Sequence, residues 1–194
     1  MEIPIVAALA GAVAGGVFSL LNQILLDRRK RREEARLRHL QRQIEELYGP
    51  LYGLIQFGAA INEAEWLRLP KESRDENGWP RDEQGGKALQ FFRERYYLPL
   101  NEQMLELIRT RIHLLDSDGI PESFAKFTRH AAQLDCFHRL YSEVAVRTHG
   151  ITTIDYPPEF RSDVEDTLYK LRKEYDEYIR RLEGGRQIER WKQT

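Results

Sequence analysis

The chain has 194 residues, with 30 Lys and Arg against 31 Asp and Glu for a formal net charge of −1. Its single cysteine, Cys136, excludes an intramolecular disulfide framework and suits a reducing cytoplasm. With an N-terminal anchor and its stalk set aside, about 150 residues remain, enough for one domain with its own core.

From Ile3 to Leu26 no side chain is charged. A helix rising about 1.5 Å per residue crosses a hydrocarbon core of about 30 Å over a run of that length. The expectation is a retained transmembrane anchor over 1–26. A cleaved signal peptide, cut near Ala12-Val13-Ala14, fits less well. The segment before the apolar run carries Glu2 and no Lys or Arg, and the run exceeds the usual h-region of about 7–15 residues. Arg28, Arg29, Lys30, Arg31 and Arg32 follow the span and nothing basic precedes it. Positive charge stays inside, so the N-terminus points out and the rest of the chain into the cytoplasm, as for a single-pass protein of the bacterial inner membrane. Within the span Ala8, Gly11, Gly15, Ser19 and Asn22 recur at spacings of three and four on one side. Small residues let helices approach closely in lipid, so this face is the expected interface of a homo-oligomer.

Residues 27–48 form a basic juxtamembrane helix. Between 27 and 43 eight Lys/Arg stand against three Asp/Glu, whereas the stretch after Gln43 carries twenty-two against twenty-seven. A basic block beside a span and ahead of a mildly acidic domain points to anionic lipid headgroups rather than nucleic acid. Leu37, Leu40, Ile44 and Leu47 make the seam of a bundle or coiled-coil helix. Gly49-Pro50 is expected to kink or break it.

The cytoplasmic bundle is expected over 49–183, about five helices with all-α architecture. Gly53, Gly58, Ala59 and Ala60 permit close helix approach in the first, which Pro70 ends. Residues 70–86 hold almost nothing apolar except Trp79 and read as an exposed loop. Leu89, Phe92 and Tyr96 line up before Pro99, and Leu105, Ile108, Ile112 and Leu115 after it. A turn at Ser117-Asp118-Gly119 and Pro121 lead into a helix with the seam Phe124, Phe127, Ala131, Leu134, His138, Tyr141 and Ala145, stopped by Gly150. An extended connector, ITTIDYPPEF, precedes a last helix opening near Pro158, with Ser162 and Glu165 in capping-box spacing. It carries Val164, Leu168, Leu171, Tyr175, Tyr178 or Ile179, and Leu182, and is expected to end at Gly184-Gly185, leaving 184–194 as a tail.

The runs ELYGPLYGL, RYYLPLNEQMLELI, HLLDSDGIPESF, TRHAAQ and IDYPPEF, in this order, resemble a group of small bacterial membrane-anchored helical proteins of unassigned function. The resemblance covers roughly Glu46 to Leu182. It implies a shared fold and no chemistry; within it His130 alone falls on a pattern position that is polar and not a turn residue.

Candidate chemistry is sparse. His130, Asp135 and His138 share a helix, and a D-x-x-H pair can ligate a metal, which opens an alternative reading as a metal-dependent hydrolase or nuclease. A di-metal bundle would need a second carboxylate-x-x-His helix, which is absent; Glu63 and Glu65 have no telling spacing. Histidine on an apolar seam is more often a packed core residue. The helical ribonuclease pattern, Arg with four to six residues before His, occurs only at Arg32 and His39 in the basic stalk. Gly85-Gly86-Lys87 lacks the first glycine and the hydroxyl of a phosphate loop. No cofactor is implied. The expected function is therefore that of a membrane-anchored scaffold, sensor or effector subunit acting through oligomerisation and an unknown protein partner, in phage defence or envelope stress as one concrete version.

Overall fold

The computed structural model describes residues 3–76, 78–116, 119–144 and 155–191, with side chains between 23 and 182 except at Tyr141. The chain divides into two units, 1–41 and 42–194.

The first unit is helical, part of α1 (Ile3–Arg42). Every described side chain from Gln23 to Arg32 is exposed, the apolar Ile24, Leu25 and Leu26 as well as the cations that follow. Arg29 pairs with Glu33 at 3.0 Å, one helical turn on. Among the described residues no helix is long and apolar enough to cross a membrane. The side chains of the expected span as far as Asn22 lie outside those residues, and with them the expected interface of Ala8, Gly11, Gly15, Ser19 and Asn22.

In the second unit a π turn, Gln43–Tyr48, leads into α2 (Gly49–Arg68); α3 (Glu83–Phe92) leads through another, Arg93–Tyr97, into α4 (Leu98–Thr110). Then come α5 (Glu122–Val144) and α6 (Pro158–Trp191). Apart from an isolated bridge between Arg74 and Pro80, the described residues form no β structure, and the class is all-α.

Gly49-Pro50 and Pro99 do not break their helices. The residue before each proline donates five residues back, Gly49 N–H to the Ile44 carbonyl and Leu98 N–H to that of Arg93. A proline inside a regular helix has no N–H and its ring meets the carbonyl four residues earlier. The wider turn takes up that mismatch, so both prolines sit at the start of a helix, where no donor is needed. Leu40, Leu47 and Ile108 are buried as their spacing predicts, but Gln43 is buried where Ile44 is only half so, and beyond Pro99 the buried set is Leu100, Asn101, Met104 and Ile108 while Leu105 is half-buried. Gln43 Nε2 donates to the Leu114 carbonyl at 3.0 Å. Ile112, expected in the stripe, is exposed because α4 ends at Thr110 and a short 3-10 turn buries Leu114 instead.

The core centres on aromatic rings from three elements. Phe127 stacks on Phe160 at 4.3 Å with planes 6° apart; Phe124 meets Phe160 edge-on at 5.0 Å and Tyr48 at 6.4 Å. Val164, Leu168 and Leu171 of α6 close it, as their spacing predicts. Ser162 does not cap α6, since its hydroxyl donates to the Glu159 carbonyl inside a helix already begun at Pro158. Gly184-Gly185 does not end α6, whose backbone is helical to Trp191. The expected turn at Ser117-Asp118, the stop at Gly150, the connector as far as residue 154 and the seam positions Tyr141 and Ala145 lie outside the described residues or side chains.

Candidate functional site

The stretch after α2 is an ordered clasp. Lys71–Ser73 forms a 3-10 turn, and the Asp75 and Trp79 backbones bond at 2.7 Å while Arg81 N–H donates to the Ser73 carbonyl at 3.0 Å. Gly78 turns the chain at φ +81°, a region that favours glycine. Asp82 then caps α3 by accepting from Gly85 N–H, so that helix begins inside the expected loop 70–86.

Arg74 holds the clasp. It is only 8% exposed, and its guanidinium donates to the Leu69 carbonyl at 2.9 Å, to the Gly78 carbonyl at 3.4 Å and to Glu65 Oε1 at 2.8 Å, with the Trp66 ring 4.0 Å from Cζ. The other Glu65 oxygen accepts from the Tyr97 hydroxyl at 2.7 Å. Burial, and then donation to this carboxylate, hold the Tyr97 phenol well above its ordinary range, while a bond from Asn62 works the other way. A buried carboxylate is tolerable here because both oxygens are engaged and a guanidinium balances the charge.

This cluster backs one wall of a cavity of about 790 Å³ within the second unit. Ile55, Gly58, Ala59, Asn62, Glu63 and Trp66 of α2 form one side of it. Leu89 and Arg93, with Tyr97, Leu100, Asn101 and Met104, form another, and His130, Leu134, Tyr156 and Arg161 complete it. Gly58 allows the space to form at close quarters, since a Cβ there would stand 2.8 Å from Leu100 Cδ2; at Gly53 a Cβ would meet nothing within 4 Å outside its own helix backbone, so the expected close approach does not occur there. The lining is mainly apolar, and burial of the half-buried Arg93 lowers the pKa of its guanidinium, against the fields of Glu65 and Glu94. Among the described residues the Arg93 side chain makes no hydrogen bond or ion pair; its relation is to the exposed Trp79 ring, 5.7 Å from Cζ. His130 meets Tyr156 edge-on at 5.7 Å; although Tyr156 is 38% exposed as a residue, partial desolvation of its phenol by the surrounding wall pushes it up to about 12.

The structure separates the candidate ligand set. His130 lines the cavity, while Asp135 and His138 do not, and Asp135 is engaged by Arg139 at 2.9 Å on an exposed turn. Among the described residues no group of three His, Cys, Asp or Glu side chains could hold a metal ion. Arg28, Arg29, Lys30, Arg31 and Arg32 are all exposed on α1. Sequence reasoning missed Glu65, Arg74, Tyr97 and Arg93 as a connected set. Glu65 and Tyr97 are 32 positions apart, and the one local signal was an arginine within a loop that has little else to bury.

No family model, curated protein or solved structure matches the chain, so the functional reading rests on its own residues.

Proposed function

We propose that the chain is a membrane-anchored helical module, tethered by residues 1–26 with its bundle in the bacterial cytoplasm, and that it works by association as a scaffold, sensor or effector subunit. The observation that carries this reading is the junction on α1: exposed Ile24, Leu25 and Leu26 end a charge-free run and five exposed cations follow at once. Apolar side chains in hydrocarbon and cations among anionic headgroups would satisfy both halves of that helix. The small-residue face through Gly11 and Gly15 would join copies in lipid. The hydrolase alternative has no observation in its favour, since Asp135 is ion-paired and only His130 faces the cavity lining.

Fractionation and a topology reporter test the tether. The full chain should stay with membranes through an alkaline carbonate wash, and a reporter after Thr194 should be active on the cytoplasmic side. Release by carbonate, or a reporter active outside, refutes it. Gly11→Ile with Gly15→Ile should abolish cross-linked oligomers while far-UV circular dichroism stays unchanged; equal cross-linking would remove this face from the interface.

A further inference from the structure

We propose that the cavity binds an amphiphilic carboxylate, a small molecule with a bulky apolar body and one acidic group, and that Arg93 receives the acid. The cavity volume of about 790 Å³ falls within the roughly 300–1,000 Å³ of small-molecule sites. Most of its wall is aliphatic or aromatic, with Leu89, Leu134 and Trp66 available to an apolar body.

Charge decides which body fits. Glu65 is the nearest buried acid to Arg93 by its electrostatic effect, but its two oxygens are already occupied by Arg74 and Tyr97. The Glu65–Arg74 pair is neutral as a unit, and Glu94, the other carboxylate whose field reaches Arg93, is exposed and accepts from Gln90, so neither forms a contact ion pair with the half-buried guanidinium. Desolvation acts on that guanidinium more strongly than any carboxylate. Among the described residues its planar fork keeps free donors, because the contact with Trp79 engages only a ring face. A carboxylate supplies the missing charge and takes two parallel hydrogen bonds. Arg161 adds a second cation to the lining without an ion pair among the described residues, against the exposed Glu63. A neutral ligand would leave Arg93 as it is, and a cationic one would add repulsion.

The site does not depend on the membrane tether, so its test is separate from that of the tether. The full chain is kept dispersed in mild detergent, whether or not residues 1–26 enter a bilayer, and titrated calorimetrically with 1-naphthoate, 1-naphthalenemethanol and 1-naphthylmethylamine, with protein-free detergent solution subtracted. The carboxylate should bind about tenfold more tightly than the alcohol, and the amine should be weakest. Arg93→Met should remove the preference for acid over alcohol, and Ala59→Phe, which fills the space, should weaken both. The three-ligand comparison on the unaltered protein needs no variant to fold. Absence of carboxylate binding, equal affinity for acid and alcohol, or a preference that survives Arg93→Met in a protein of unchanged circular dichroism would each overturn the proposal.

Discussion

Replacing Arg74 with Ala tests whether the clasp and the cavity wall share one support. The substitution removes three donations, at 2.9, 2.8 and 3.4 Å, together with the face contact on Trp66. It leaves Glu65, itself 5% exposed, with Tyr97 as its only direct partner of the two. Breaking a buried pair by deleting one member costs about 3–5 kcal/mol, because the remaining charge stays desolvated. A domain of about 150 residues has only roughly 8–22 kcal/mol in total, so the loss is a large share. At about 2–4 °C per kcal/mol for a chain of this size, the melting temperature should fall by roughly 6–20 °C. Urea unfolding followed by circular dichroism measures the first quantity, and amide exchange over 70–82 should accelerate with it. Glu65→Gln with Arg74→Met removes both charges and should recover much of the loss, since neither side chain then strands the other. A cost below about 1 kcal/mol for Arg74→Ala would refute the reasoning, as exposed pairs behave that way. A double variant as unstable as the sum of the single ones would place the loss in the packing of Arg74 and not in an unpaired charge.

Adjacent glycines in α3 should respond oppositely in urea titrations. A Cβ on Gly85 would stand 2.7 Å from Pro80 Cβ and 3.2 Å from Leu69 Cδ2, so Gly85→Ala destabilises, whereas a Cβ on Gly86 would meet nothing within 4 Å beyond its own helix backbone and Gly86→Ala should stabilise by about 0.5–1 kcal/mol. Gly78→Ala should cost about 1–2 kcal/mol, because its φ of +81° is unfavourable for any side chain. Phe127→Ala should cost about 3–5 kcal/mol, as a fully buried ring in a stacked pair. Stability should fall as pH rises from the ordinary tyrosine value of 10.0 towards 12, because Tyr97 and Tyr156 have raised pKa values and the folded protein holds protons that the unfolded one releases. Tyr156→Phe should flatten the slope in that window; an unchanged slope would show that this phenol does not contribute.

The helices were legible where periodicity met no interruption. Phe124, Phe127 and Ala131 on α5 and Val164, Leu168 and Leu171 on α6 follow a 3.6-residue repeat and are buried in that register. Beside the prolines the register was only partly legible. Gly49-Pro50 was expected to kink or break its helix, whereas a π turn before each proline takes up the mismatch and the backbone stays helical. Leu47 and Ile108 are buried in the expected register, while Gln43, whose amide donates to the Leu114 carbonyl, and Asn101 are buried where Ile44 and Leu105 are only half so. Nothing in the residue types announces a π turn; proline gives notice of an irregularity but not of its form.

The candidate site was less legible because its parts acquire meaning only in three dimensions. Composition made 70–86 look like an unstructured connection, since ordinary loops are polar and Arg74 resembles any solvated arginine. It is buried because Glu65 stands at the end of the preceding helix, where the chain can fold back over five to nine residues and close on it. A short-range pair of that kind needs few long loops to close, which lowers its entropic cost. Tyr97 and Arg93 then enter from a separate helix, and no spacing rule links them to Glu65. Histidine drew notice as the versatile side chain, yet His130 is one lining residue among many, while the group whose charge is left to be answered is an arginine on the facing helix. Residue type alone could not rank the two: an arginine is ordinarily solvated, and what sets Arg93 apart is a carboxylate already claimed by other partners.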